Sequence, residues 1–146
     1  MFTQSTSIII TSPPETVWKL LIDPNFEKQY FYGSKLKIDL RVGGEMIFEG
    51  TNESKNFVGK GIITELTPNE SLSFNFLNSL SQFEDVPENY FPMSYLLEVL
   101  PKTQTKLTIT QGARTQSEVD KCFKNWEEVL AKLKIIIDSS SNMWFF

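Results

Sequence analysis

The sequence contains no histidine. Imidazole is the commonest general base near neutral pH and the commonest metal ligand, so a histidine-dependent triad and a histidine-ligated metal site are both excluded. Cysteine is almost as scarce. Cys122 stands alone, which excludes an intramolecular disulfide and fits a reducing compartment. No basic run occurs, and the formal net charge over 146 residues is -4. A protein that meets nucleic-acid phosphates needs a cationic face, so no such partner is expected. Long apolar runs are missing too. Ile8-Ile9-Ile10 is too short for a signal-peptide core, and nothing approaches the roughly 20 residues of a membrane span. The expectation is a cytoplasmic protein with no membrane segment, metal or cofactor.

What is abundant is aromatic carbon. Phenylalanine occurs 12 times, which suits a thick core or a core with a partly unfilled centre. The length is that of one domain. Thr6 to Thr11 reads as a short β-branched strand. Ser12-Pro13-Pro14-Glu15 then spells a capping box with proline at the first helical position, followed by an apolar face of Val17, Trp18, Leu21 and Ile22 that stops at Asp23-Pro24. A second short helix is expected over Asn25 to Phe31.

From Ser34 the period changes to two. Ile38, Leu40 and Val42 alternate with Lys37, Asp39 and Arg41, and Gly43-Gly44 supplies a tight turn. Further strands are expected over Glu45 to Thr51, Phe57 to Leu66 and the stretch carrying Leu72, Phe74 and Phe76. After an acidic loop from Ser81 to Pro92, Met93 to Leu100 and Thr105 to Thr110 form a last hairpin. Short turns between close strands imply an antiparallel meander. Thr115-Gln116-Ser117-Glu118 is a second capping box. Val119, Phe123, Trp126, Leu130, Leu133 and Ile137 then recur at helical spacing, widened by Cys122, Val129 and Ile136. Asp120 with Lys124 and Glu128 with Lys132 are spaced to pair on the opposite face. The predicted fold is α+β, a curved antiparallel sheet wrapped around one long C-terminal helix. The domain is expected to span 1–138, with a tail over 139–146 whose apolar Met143-Trp144-Phe145-Phe146 tip docks on its own surface or on a second subunit, or else frays.

The order of strand, two short helices, meander and long amphipathic helix resembles the START-like, helix-grip superfamily (SRPBCC). Within it the chain is similar to homologues of the heat-shock-protein ATPase activator. The stretches that carry the resemblance are Pro14-Glu15-Thr16-Val17-Trp18, Asp39-Leu40-Arg41-Val42-Gly43-Gly44-Glu45-Met46, Gly59-Lys60-Gly61-Ile62-Ile63, Thr105-Lys106-Leu107-Thr108-Ile109, and Asn125-Trp126 with Leu130 and Leu133. Where many relatives carry a histidine after the last strand, this chain reads Gln111-Gly112-Ala113-Arg114.

The resemblance implies a cavity between sheet and helix. Alternation assigns Met46, Phe48, Phe74, Phe76, Leu107 and Ile109 to one side of it and Phe123 and Trp126 to the other, with Trp18 near one end. These nine are the candidate ligand-binding residues, because pockets for small apolar molecules are concave and mostly apolar. The same rings serve equally to fill a core to native density. Glu49, Glu98 and Arg41 are the charges nearest such a cavity, yet alternation puts Glu49 on the opposite face from Met46 and Phe48. Gly59-Lys60-Gly61 lacks the spacing of a phosphate loop and reads as a bulge or sharp sheet curvature. Cys122 lies on the flank of a buried stripe, as an inert thiol would.

Three functions follow as expectations. The first is binding of a small hydrophobic ligand, with no catalytic residue. The second is a chaperone-associated interaction module, and the third an enzyme of the polyketide-cyclase kind. Either a monomer or a homodimer fits. Function on this fold resides in the site, so the placement of the side chains decides.

Overall fold

Alternating apolar and polar residues broken by short turns fold into consecutive hairpins in the computed structural model, which describes residues 1–24, 35–52, 55–77 and 84–143. In chain order the elements are β1 (Phe2–Ile10), α1 (Pro14–Ile22), β2 (Lys35–Ile38), β3 (Glu45–Asn52), β4 (Lys55–Thr67), β5 (Ser71–Leu77), β6 (Phe91–Leu100), β7 (Gln104–Ala113) and α2 (Gln116–Met143). The strands form one seven-stranded antiparallel sheet in the order β1-β7-β6-β5-β4-β3-β2. Every neighbour pair except β1 with β7 is a sequential hairpin. A register shift between Ile63 and Glu65 interrupts β4, and such a bulge bends a strand. The sheet is curved and α2 lies in its hollow.

That helix exists because its apolar residues share one stripe. Val119, Trp126, Val129, Leu130, Leu133 and Ile137 are buried, while Asp120, Lys124 and Lys132 are exposed. Each fully buried aliphatic side chain in this stripe contributes roughly 1.5–3 kcal/mol. The helix packs on β1 and β7, and α1 packs on β6 and β7. At the helix start Thr115 Oγ1 accepts from the Glu118 N–H at 3.2 Å, as a cap should. The Glu118 carboxylate reaches one residue further back than a capping box requires, to the Arg114 N–H at 3.0 Å. Asp120 accepts from the Gln116 amide at 2.9 Å. The helix continues through Ser139-Ser140-Ser141-Asn142 to Met143, where a polar tether was expected.

Several local expectations are corrected. β1 begins at Phe2, because its polar half is held to β7 by hydroxyl pairs, Ser5 with Thr110 at 2.8 Å and Ser7 with Thr108 at 3.0 Å. Ser12 caps nothing. Pro13 occupies the N-cap position of α1, while Ser12 is buried and its carbonyl accepts from Thr105 Oγ1 at 2.7 Å. The strand predicted through Val42 ends at Ile38, leaving Leu40 and Val42 exposed by 40% and 61%. Backbone bonds turn the chain there instead: Gly44 N–H donates to the Arg41 carbonyl, and Gly43 N–H to the Ile63 carbonyl, each at 2.8 Å. Gly43 has φ +86, and a Cβ on Gly44 would stand 1.9 Å from the Asp39 carbonyl oxygen, so both glycines are required. The helix expected over Asn25 to Phe31 and the Trp144-Phe145-Phe146 tip lie outside the described residues.

Candidate functional site

Strand pairing decides which side chains share the hollow. Leu36 opposes Phe48, Met46 opposes Gly61, Phe76 opposes both Gly61 and Phe91, and Phe74 opposes Met93. Tyr95 opposes Ile109, Leu97 opposes Leu107 and Gln111 opposes both Met93 and Gln4. All of these point to the side on which α2 lies. None of them is charged.

Across this face the rings form a continuous chain of edge-to-face contacts. Phe48 meets Phe76 at 5.7 Å between centroids, Phe76 meets Phe74 at 6.1 Å, Phe74 meets Tyr95 at 5.5 Å, and Tyr95 meets Trp126 of α2 at 6.0 Å. The interplanar angles lie between 75° and 88°, the arrangement that ring quadrupoles favour, each pair being worth about 0.5–1.5 kcal/mol beyond its buried area. Phe48 and Phe76 stand on β3 and β5, with β4 between them. They touch because β4 presents glycine there. A Cβ on Gly59 would meet Phe76 Cζ at 2.5 Å, and one on Gly61 would meet Phe74 Cδ2 at 3.0 Å. The glycines, expected to mark a bulge or sharp sheet curvature, are not at the bulge. They lower the sheet surface so that two phenylalanine rings lie over the strand, and the register shift falls beyond them at Ile63/Glu65.

One polar pair breaks the hydrocarbon. Trp126 Nε1–H donates to Gln111 Oε1 at 2.8 Å, partly buried. The charges weighed as acid or base stand elsewhere. Arg41 pairs with Asp39 at 2.8 Å in the exposed turn, and Glu49 and Glu98 are exposed. Among the described residues no cluster of metal-ligating side chains occurs.

Of the nine candidates, Met46, Phe48, Phe74, Phe76 and Trp126 belong to this aromatic face. Leu107 and Ile109 face the same hollow at the β7 end, fully buried in the core. Trp18 is buried on α1, and no ring contact joins it to the chain of rings. The backbone of Phe123 is helical, but its side chain lies outside the described residues. Tyr95 and Gln111 were missed. Both are in inward register with apolar neighbours, Tyr95 with Met93 and Leu97, Gln111 with Leu107 and Ile109, and that interruption of an apolar series is the signal that would have found them.

A charged cluster stands on the other face of β4 and at the rim where β6 begins and β7 ends. Lys60 Nζ donates to Asp85 Oδ2 at 3.0 Å and stands 3.9 Å from Glu45 Oε1, while Tyr90 Oη–H donates to Asp85 Oδ1 at 2.5 Å. Arg114 donates to Asn89 Oδ1 and stacks over Phe91 with its guanidinium 5.6 Å from the ring centroid. The Asn89 amide in turn holds the Glu84 carbonyl. Residues 84–90 thus form a strap tied to β4 and to the end of β7. The hydrogen bonds from Tyr90 and then Lys60 hold the Asp85 carboxyl below its ordinary value. Burial and then the bond to Asp85 push the Tyr90 hydroxyl up. The Asp85 bond raises the Lys60 ammonium against the opposing effect of burial.

The sequence profile of the family described as "Activator of Hsp90 ATPase homolog 1-like protein" matches residues 11–138. No curated protein matches the chain. Among solved structures, protein ChR145 from Cytophaga hutchinsonii is 25% identical, with a TM-score of 0.78 and 97% of each chain covered. CalU16 from Micromonospora echinospora is 20% identical, with a TM-score of 0.73 over 97% of this chain and 79% of that one. The Aha1 dimer from Colwellia psychrerythraea is 20% identical, with a TM-score of 0.68 over 92% of this chain and 94% of that one. The helix-grip architecture is therefore shared across these proteins. No helix among the described residues is long and apolar enough to cross a membrane.

Proposed function

This chain belongs to the family of Hsp90 ATPase activator homologs, and from that premise we propose that it binds a small, uncharged, largely aromatic or polycyclic molecule against the concave face of β3 to β6. The observation that carries this reading is the uncharged run of rings from Phe48 to Trp126, buried except at Phe76, which is partly exposed between Phe48 and Phe74. Such a surface offers stacking partners and takes no ion, since an unpaired charge is costly to desolvate. No residue is assigned a catalytic role.

Native mass spectrometry of freshly purified protein tests the reading. An added mass that leaves on denaturation, and that is weakened by Trp126→Ala or Phe76→Ser, is the expected result. Clean protein that binds nothing in a screen of polycyclic aromatics, sterols and flavonoids would count decisively against it.

A second reading rests on the family description itself, which names an activator of a chaperone ATPase. On it the chain docks on such a partner through its surface. Capture of the purified ATPase, with stimulation of its turnover, is the expected outcome, and no effect at tens of micromolar would remove it. Analytical ultracentrifugation of the same sample asks whether this chain pairs as the Colwellia protein does.

A further inference from the structure

Gln111 is the one carboxamide that the ring face holds by a hydrogen bond, and that bond settles which way round it lies. Indole Nε1–H is a donor only, so the atom 2.8 Å from Trp126 Nε1 must be the amide oxygen. The amide nitrogen then points away from the indole. Among the described residues nothing accepts from it: the bond to Trp126 is the only hydrogen bond that the Gln111 side chain makes there. The strand fixes the position as firmly as the indole fixes the rotation, because Gln111 is in register with Met93 on one side and Gln4 on the other. A preset donor with two N–H groups therefore stands at the end of the aromatic chain, beside Trp126 and one strand from Tyr95.

Resting on the ligand-binding reading above, we infer that Gln111 is the specificity residue of this face and that it selects ligands carrying a neutral hydrogen-bond acceptor, a ketone, quinone or amide carbonyl, at one edge of an aromatic body. A neutral acceptor fits because the cation set against a ring of this side, Arg114 over Phe91, is engaged by Asn89 and no cation is bonded to Gln111 among the described residues. It must sit at an edge because the ring chain leads to Gln111 from one side only, through Phe74, Tyr95 and Trp126. Trp126 has two roles in this arrangement. Its ring supplies a stacking wall, and its N–H holds the amide so that little side-chain freedom is lost when the ligand arrives. A hydrocarbon of the same shape gains the stacking and leaves the Gln111 donor facing it unmatched, which is the costlier half of a hydrogen-bond deletion.

A matched pair of probes isolates the donor: fluorene and 9-fluorenone, which differ by one carbonyl oxygen on the same tricyclic frame. Equilibrium dialysis against the full chain should show fluorenone bound about tenfold more tightly, the ordinary net worth of one hydrogen bond. Gln111→Leu should abolish that preference while fluorene affinity is kept or improved. Gln111→Glu retains the acceptor for Trp126 and loses the donor, so it too should lose the preference, which guards against a leucine variant that merely repacks. A preference that survives in both variants, or wild-type protein that binds the two probes equally, overturns the role of Gln111 and leaves the pocket standing. If neither probe binds the wild type, the pocket itself is wrong and the specificity falls with it.

Discussion

The two ends of the concave face follow the same alternating pattern and reach different results. At the β7 end, Leu107 and Ile109 are shut in by helices, and Leu130, Leu133 and Ile137 of α2 complete a close-packed interior. At the β3 to β5 end the sheet itself withdraws. Gly59 and Gly61 leave β4 without side chains there, Phe74 and Phe76 lie over the strand, and Phe76 stays partly exposed while Phe74 is buried. Where a helix supplies the opposing side chains, alternation makes a core. Where glycine takes the opposing place, rings fill the space instead, and the same core ends at the partly exposed Phe76.

Truncations on either side break this comparison most directly. Leu133→Ala should lower stability by about 2–5 kcal/mol in urea unfolding, since it empties a fully buried site. Phe76→Ala should lower it by less, about 1–3 kcal/mol, because part of that ring already meets solvent. Equal losses would mean that Phe76 is as enclosed as Leu133. Next in size, Gly59→Ala should cost about 1–3 kcal/mol by forcing Phe76 off the strand. In a double-mutant cycle Phe76→Leu should recover part of that cost, with a coupling of about 0.5–3 kcal/mol. Strict additivity would show that ring and strand do not touch. On the helix-covered side, Thr105→Val should cost about 1–2 kcal/mol, because the buried Ser12 carbonyl loses its donor.

The smallest effect concerns the strap over the other face, and its sign follows from the shifts. The Asp85 carboxyl lies below its ordinary 3.8, so its contribution is present above that value and disappears as pH falls through the depressed one. Tyr90 and Lys60 lie above their ordinary 10.0 and 10.5, so theirs are present below those values and disappear as pH rises through the raised ones. Hydrogen exchange of residues 84–90 should therefore be slowest between these limits relative to the intrinsic rate, and Tyr90→Phe should flatten the profile at both ends. A profile unchanged by that substitution would detach the strap from the triad.

The meander and the long helix were legible because each rests on a local period. The errors arose where a period persisted without its cause. Leu40 and Val42 continue the alternation of β2, but Gly43 and Gly44 are bonded to Ile63 and turn the chain before either residue is needed. Ser12-Pro13-Pro14-Glu15 spells a cap, but the Ser12 carbonyl is engaged by a threonine 93 positions away. The meaning of Gly59 and Gly61 was illegible for the same reason, since it depends on rings that only strand pairing brings over them. So does the bond from Trp126 to Gln111, which joins a helix to a strand by a contact that no spacing announces.

The pairing of β1 with β7 sets the order in which the molecule is finished. Phe2 sits opposite Ala113, so the edge of the sheet waits for more than a hundred residues of intervening chain. During synthesis that is a delay of roughly 5–20 s, through which Ile8, Ile9 and Ile10 have no strand to join. Such long-range closure slows folding, in the range of roughly milliseconds to seconds for sheet-rich domains. The first strand made is the last one seated.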